Sequence, residues 1–331
     1  MWSELLLAKK KQSPAIVFLF NVHYSMSMNN NLNLKYIFSA GLILTAAIWG
    51  FAFVIVKDSL NYIGPTWMVG IRFCIASLCL SLIFIKRFKR LTKKIFLHGC
   101  LLGLFLFTAY ETQTMGCNFT TAGKNAFLTT IYVILVPLLG WPVFKKRPQW
   151  FVWLAAFLSV AGIALLALNG ETGKWYVMNK GDVLTLICGF FYAVHIIGGA
   201  FFVKDEDVIL LTVFQFFTAG TLGMVFAPFA DGSLDLNLFA NRNVVISLLY
   251  LGLLSSMLCF CLQNAGLKYV PSSLASLFLS LESVFGVIFS CMLLKERLTS
   301  KMFVGCVLIF AAILVAEVLP GFLAKKNEKS A

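Results

Sequence analysis

The sequence predicts an all-α polytopic membrane protein in which ten transmembrane helices form two inverted five-helix repeats. Three observations carry this. First, 60% of the 331 residues are hydrophobic and only 12% are charged, about half the roughly 25% found in soluble domains. That much apolar surface cannot be hidden in a water-soluble globule, and it excludes disorder as well. Second, the apolar residues fall into ten stretches of membrane-spanning length. Third, the chain resembles itself when it is slid by nearly half its length.

A bilayer core of about 30 Å requires about 20 apolar residues per helix. The first span runs near Tyr36–Val56 and ends against Lys57. The second, Pro65–Ile85, ends against a basic loop, Lys86–Lys94. The third is Ile95–Thr114, and the fourth, Asn118–Val143, stops before Lys145–Arg147. The fifth is Trp150–Leu168; a loop with Lys174 and Lys180 then precedes the sixth, Asp182–Val203, which ends at Lys204. The seventh is Val208–Phe229, and the eighth, Val244–Leu267, lies between Arg242 and Lys268. The ninth, Ser272–Leu294, ends at Lys295 and Arg297, and the tenth, Met302–Leu319, follows Lys301. These spans leave no room for a soluble domain. The expected organisation is a disordered cytoplasmic head (1–35), one repeat at 36–168, another at 182–319 and a cytoplasmic tail (320–331). The head's apolar run, Ala15–Phe20, is too short for a secretory signal, and Met26 or Met28 is an alternative start.

The net charge of +13 acquires meaning from its placement. With the N-terminus inside, eighteen Lys and Arg fall on cytoplasmic segments and seven outside. This positive-inside bias puts both termini in the cytoplasm of a cell-membrane protein. A nucleic-acid partner would need a basic face with exposed aromatics on a soluble fold, which the sequence lacks. All nine cysteines lie in apolar runs without C-x-x-C spacing, and the three histidines are scattered. No disulfide framework, metal site or cofactor is expected.

Sliding the chain by 150 places Lys145-Lys146-Arg147 on Lys295-Glu296-Arg297, Gln113 on Gln263 and Gly116 on Gly266. Sliding it by 143 places Arg72-Phe73 on Gln215-Phe216 and Trp49 on Tyr192. Because five is odd, the second copy must enter the membrane the other way up. Inverted repeats of this kind build secondary transporters, with a binding site near the midplane between the halves.

Several stretches resemble the ten-helix EamA branch of the drug/metabolite transporter superfamily. They are Trp49-Gly50, Arg72-Phe73, Thr121-Ala122-Gly123-Lys124 through Phe127-Leu128-Thr129 to Pro137, Gly181-Asp182, Leu281-Glu282-Ser283-Val284-Phe285 and Glu296-Arg297-Leu298-Thr299. The resemblance covers about 34–320, with Ser283 where the family often has Pro and Lys295 where Gly is common. It implies two five-helix repeats around a central cavity that moves small metabolites, often outward.

Ionisable residues inside hydrocarbon are costly and therefore functional candidates. Glu282 lies about ten residues into a span of about 23, close to the midplane. A desolvated carboxyl there is either a proton carrier or an acid bonded to nearby backbone or Gln263. Arg72, Glu111 and Lys124 fall at one level, about 8–11 Å deep. They either leave one positive charge for an anionic group or form a closed network in which Glu111 holds Arg72. Asn125, Thr129 and Tyr132 share a helix face, and Pro137, one turn on, is expected to kink the span. Trp49 and Tyr192, repeat partners deep in their spans, are the aromatic candidates for the cavity wall, ahead of Trp67 and Tyr110. His195 reads as a packing histidine, and a stripe of small residues, Ser276 to Ser290, as a helix-packing face.

The leading expectation is a secondary transporter exporting small metabolites, such as amino acids or amphipathic compounds, with protons as a coupling partner. A nucleotide-sugar or phosphosugar exchanger would want more than two intramembrane cations. An enzyme would need a nucleophile–base pair or metal cluster, and ATP would need a Walker motif; the sequence has neither. A non-transporting sensor would have no use for an inverted repeat.

Overall fold

The structure, a computed structural model, describes residues 14–120, 122–167, 179–293 and 300–330. Among the described residues it is built from helices, without strands. The first half comprises α1 (Pro14–Ser59), α2 (Pro65–Ile83), a 3₁₀ turn at Ile85–Arg90, α3 (Lys93–Phe119), α4 (Ala122–Thr129), α5 (Tyr132–Phe144) and α6 (Trp150–Ala167). The second half comprises α7 (Lys180–Phe202), α8 (Val208–Ala230) and α9 (Arg242–Leu249). A π-helix (Tyr250–Leu258), α10 (Cys259–Tyr269), α11 (Ser272–Ser280), α12 (Glu282–Leu293) and α13 (Ser300–Ser330) follow. Among the described residues seven spans are long and apolar enough to cross a membrane, and there are three shorter apolar helices, Tyr132–Phe144, Trp150–Gly162 and Ser272–Gly286.

Local chemistry sets the helix starts. Pro65 opens α2, where a missing N–H costs nothing. The side chains of Thr92, Asn179, Asp207 and Asn241 accept from the first-turn amides of α3, α7, α8 and α9. α1 begins at Pro14, and no Pro or Gly interrupts the chain between there and Gly41. Two features differ from the sequence reading. Pro137 and Pro142 both lie inside α5, and the fourth span breaks earlier, at Thr130-Ile131. The ninth span breaks at Leu281 although Ser283 stands where the family often has Pro. At both breaks i→i+3 bonds replace the α-helical ladder: Val133 N–H donates to the Thr130 carbonyl at 3.0 Å, and Leu281 N–H to the Phe278 carbonyl at 3.2 Å.

The ten spans form two inverted five-helix repeats around a central cavity. Exchanging each span for its counterpart reproduces the packing pairs: α1–α10 becomes α7–α3, and α1–α12 becomes α7–α5. The pairs α2–α8 and α6–α13 map onto themselves, so the pseudo-two-fold passes between α2 and α8. There Gly70 faces Gly223, and a Cβ on Gly223 would stand 2.5 Å from Gly70 Cα. Only glycine allows these backbones to touch.

Burial is the reverse of a water-soluble protein. Arg72 and Glu282 are 2% and 3% exposed, while Phe157 and Phe310 are 61% and 57% exposed. Lipid is the solvent that fits this distribution. Polar ties link the repeats at both faces. On the face where α1 enters, Arg87 pairs with Asp207 at 2.9 Å and His98 Nδ1 lies 2.6 Å from Glu206. On the other face Asp231, at the end of α8, accepts from Thr66 N–H at 2.8 Å and Trp67 N–H at 3.0 Å, capping α2 across the repeat boundary.

Candidate functional site

A residue near a two-fold axis meets its own counterpart, and the repeat partners do so here. Phe73 and Phe216 stack with ring centroids 5.6 Å apart. Trp49 and Tyr192 lie 6.4 Å apart. The Tyr132 hydroxyl, at the start of α5, donates to Glu282 Oε1 at 3.2 Å, at the start of α12. These two residues are separated by 150 positions, the repeat offset. The broken spans of opposite repeats therefore bring two half-helix N-termini together in the middle of the bundle.

The breaks sit where glycine lets another backbone press against them. A Cβ on Gly189 would lie 2.8 Å from the Thr129 carbonyl oxygen, and one on Gly50 would lie 2.8 Å from that of Glu282. Neither break needs a proline. Tertiary contact holds the irregular backbone in place, as irregular backbone at membrane depth requires.

Beside the Tyr132–Glu282 contact lies a small, partly open cavity of about 30 Å³. Trp49, Ala52, Phe53 and Val56 of α1 line it along one helix face, and Tyr110, Gln113 and Cys117 of α3 line it on another side. Arg72, Asn125, Tyr192, Ser255 and Glu282 complete the wall. Both helix faces step from the middle of the bundle toward the end where α1 finishes. At the opposite, inner end stands a packed aromatic group, Phe73, Phe216 and Phe260, with Phe216 and Phe260 5.7 Å apart.

The π-helix shapes one wall. Its wider turn presents Ser255 and Ser256 toward α2, where Arg72 Nη2 donates to Ser255 Oγ at 2.9 Å and Nε to Ser256 Oγ at 3.0 Å. The Ser255 carbonyl accepts from the Trp49 indole at 2.8 Å. The guanidinium carbon of Arg72 lies over the Tyr110 ring, 4.6 Å from its centre. Asn125 Nδ2 donates to Thr185 Oγ1 at 2.9 Å and to the Gln113 carbonyl at 3.0 Å.

Of the residues singled out from the sequence, Trp49, Arg72, Asn125, Tyr192 and Glu282 line this cavity, and Tyr132 adjoins it through Glu282. Two do not join them. Glu111 accepts from the Thr66 hydroxyl at 2.5 Å near the end of the bundle and forms no pair with Arg72, whose partners are hydroxyls instead. Gln263 is fully buried, but its side-chain amide has no partner among the described residues and does not reach Glu282. The Lys124 side chain lies outside the described residues. His195 makes the expected kind of packing bond, 3.2 Å to Gln215. Ser255, Ser256 and Gln113 escaped the sequence reading. Gln113 had a signal in its repeat match to Gln263; the serines had none, because a π-helix leaves no pattern in sequence.

Among the described residues no group of His, Cys, Asp or Glu could hold a metal ion. The EamA-like transporter family model matches the chain twice, over 37–168 and 179–317. An uncharacterized transporter of Archaeoglobus fulgidus is 32% identical over 84% of this chain and 84% of its own length. A Salmonella typhimurium protein named "Probable amino-acid metabolite efflux pump" is 25% identical over 82% of this chain and 92% of its own. A solved crystal structure superposes with a TM-score of 0.71, covering 86% of this chain and 98% of its own at 15% identity, which shows a shared fold. The chain is a multi-pass membrane protein and belongs to the EamA-like transporter family.

Proposed function

We propose that the protein is a secondary active transporter that exports small metabolites across the cell membrane by alternating access, in exchange for protons. The observation that carries this reading is the meeting of Tyr132 and Glu282, one from each repeat, at the wall of a central cavity. Discontinuous helices that converge at the midplane of an inverted repeat are how secondary transporters build a site that either side can reach. The cavity leads toward the end of α1 and is backed by the aromatic group Phe73, Phe216 and Phe260. Rocking one repeat against the other would open the opposite end while Glu282 and Arg72 stay at the hinge of both routes.

Glu282 is the proton carrier in this scheme: its carboxyl is buried, touches the cavity and is bonded by a neutral hydroxyl, so charge can be gained and lost there without breaking an ion pair. The repeats are taken as 36–168 and 182–319, with cytoplasmic termini, on the distribution of Lys and Arg. Amino acids and related amphipathic compounds are the first cargo to test, since the Salmonella relative is named for amino-acid metabolites. The test is efflux of radiolabelled amino acids from proteoliposomes across an imposed proton gradient. Wild-type protein should respond to the gradient, and Glu282→Gln should abolish that response while downhill exchange persists. Gradient-driven efflux that survives Glu282→Gln would remove the carrier role. A protein that moves no metabolite would point to a sensor.

A further inference from the structure

We infer that Arg72 is the receptor for a carboxylate on the transported molecule, so the cargo is a small monocarboxylate with an apolar body and a hydrogen-bond donor. This rests on reading the central cavity as the transport site. Arg72 is 2% exposed and, among the described residues, is the one cation lining the cavity. Among the described residues it forms no ion pair: its partners are the Ser255 and Ser256 hydroxyls and the Tyr110 ring. The acids nearest by element are otherwise engaged, Glu282 with Tyr132 and Glu111 with Thr66. A buried cation without a counter-ion is expensive.

The fold itself does not require that charge. The equivalent position in the second repeat is Gln215, fully buried and held by His195 and Asn264. A neutral side chain thus suffices at this place on the axis. The first repeat departs from it and supports the departure with two serine hydroxyls and an aromatic ring.

The geometry of that support points to the ligand. A guanidinium has five N–H donors, and Ser255 and Ser256 take one on Nη2 and the one on Nε. Both N–H groups of Nη1 and one of Nη2 remain, and these form the end-on edge, which can grip a carboxylate with two parallel N–H bonds. One cation balances one negative charge, which favours a carboxylate over a phosphate dianion. Trp49, Phe53 and Tyr192 wall the rest of the cavity with aromatic surface. Asn125 is fully buried on the same wall, and its Oδ1 has no partner among the described residues, leaving an acceptor for an N–H or O–H of the cargo.

Calorimetric titration of the full chain in nanodiscs with the standard amino acids and their carboxamides tests this. Wild-type protein should bind at least one acid about tenfold or more tighter than its amide, as expected for a charge-assisted pair. Arg72→Gln should bring that ratio to within about twofold. The double variant Ser255→Ala/Ser256→Ala keeps the charge but frees the guanidinium, and should lower the ratio several-fold; it carries the test if Arg72→Gln fails to fold. The inference is overturned if the acid preference survives these variants, if wild-type protein binds amides as well as acids, or if it binds neither. Ala52→Trp fills the cavity and separates the two readings. If transport survives Ala52→Trp, the cavity is not the route. If Ala52→Trp stops transport while Arg72→Gln keeps the acid preference, only the carboxylate assignment falls.

Discussion

Replacing Gly223 with Ala would put a methyl carbon 2.5 Å from Gly70 Cα and 2.6 Å from Gly70 N. Carbon atoms pack comfortably at about 3.5–4.0 Å, and no rotamer change helps because both neighbours are backbone. The axes of α2 and α8 must part by about 1 Å. Gly70 lies less than a turn from Arg72 and Phe73, so the displacement reaches the Arg72 contacts with Ser255 and Ser256 and the Phe73–Phe216 stack. Forced separations of this kind cost about 1–3 kcal/mol. Gly41 is the matched control: a Cβ there would meet Leu262 Cδ2 at an ordinary 3.4 Å, and Ala for Gly inside a helix gains about 0.5–1 kcal/mol. That gain applies to both helical glycines and cancels, so the two variants should differ by about 1–3 kcal/mol. Thermal unfolding in nanodiscs, followed by tryptophan fluorescence, should put Gly223→Ala roughly 5 °C below Gly41→Ala, with transport reduced in the former alone. Equal melting and equal transport in the two would refute the close helix crossing as the feature that seats Arg72.

Two further outcomes follow from single hydrogen bonds. Asp231→Ala removes the acceptor for both Thr66 N–H and Trp67 N–H and should cost about 1–2 kcal/mol, the worth of a helix cap; Asp231→Asn should cost less, and an unchanged melting temperature in Asp231→Ala would contradict the cap. Trp49→Phe keeps the ring but withdraws the donor from the buried Ser255 carbonyl, a loss of about 1–3 kcal/mol. It should raise KM for transport about tenfold with little effect on expression, and an unaltered KM would place Trp49 outside the site.

How much of this was legible beforehand depended on the range of the physics involved. The number of spans was legible because hydrocarbon thickness sets a length that apolar runs either reach or miss. The repeat was legible at Trp49 and Tyr192 and at Phe73 and Phe216, which proved to meet across the axis. The partners of Arg72 were not. Depth along parallel helices allowed Glu111, but depth says nothing about which faces oppose, and the guanidinium turned to Ser255 and Ser256. The breaks were misplaced for a similar reason. Proline marked Pro137 as the weak point, yet the ladder gives way at Thr130-Ile131 and Leu281, where Gly189 and Gly50 press a neighbouring backbone against it.

From the sequence by itself come the solvent, the count of helices, the inverted repeat and the presence of charges that lipid would not tolerate without a purpose. Each depends on composition or on spacing along one chain. Tertiary structure alone decided that Tyr132 and Glu282 share a hydrogen bond, that a π-helix turns two serines toward Arg72, and that this cation meets no acid among the described residues. Those outcomes depend on the rotation of each helix about its own axis. Side-chain packing across the bundle sets that rotation, and the near-uniform apolarity of spans buried on several sides leaves no record of it in the sequence.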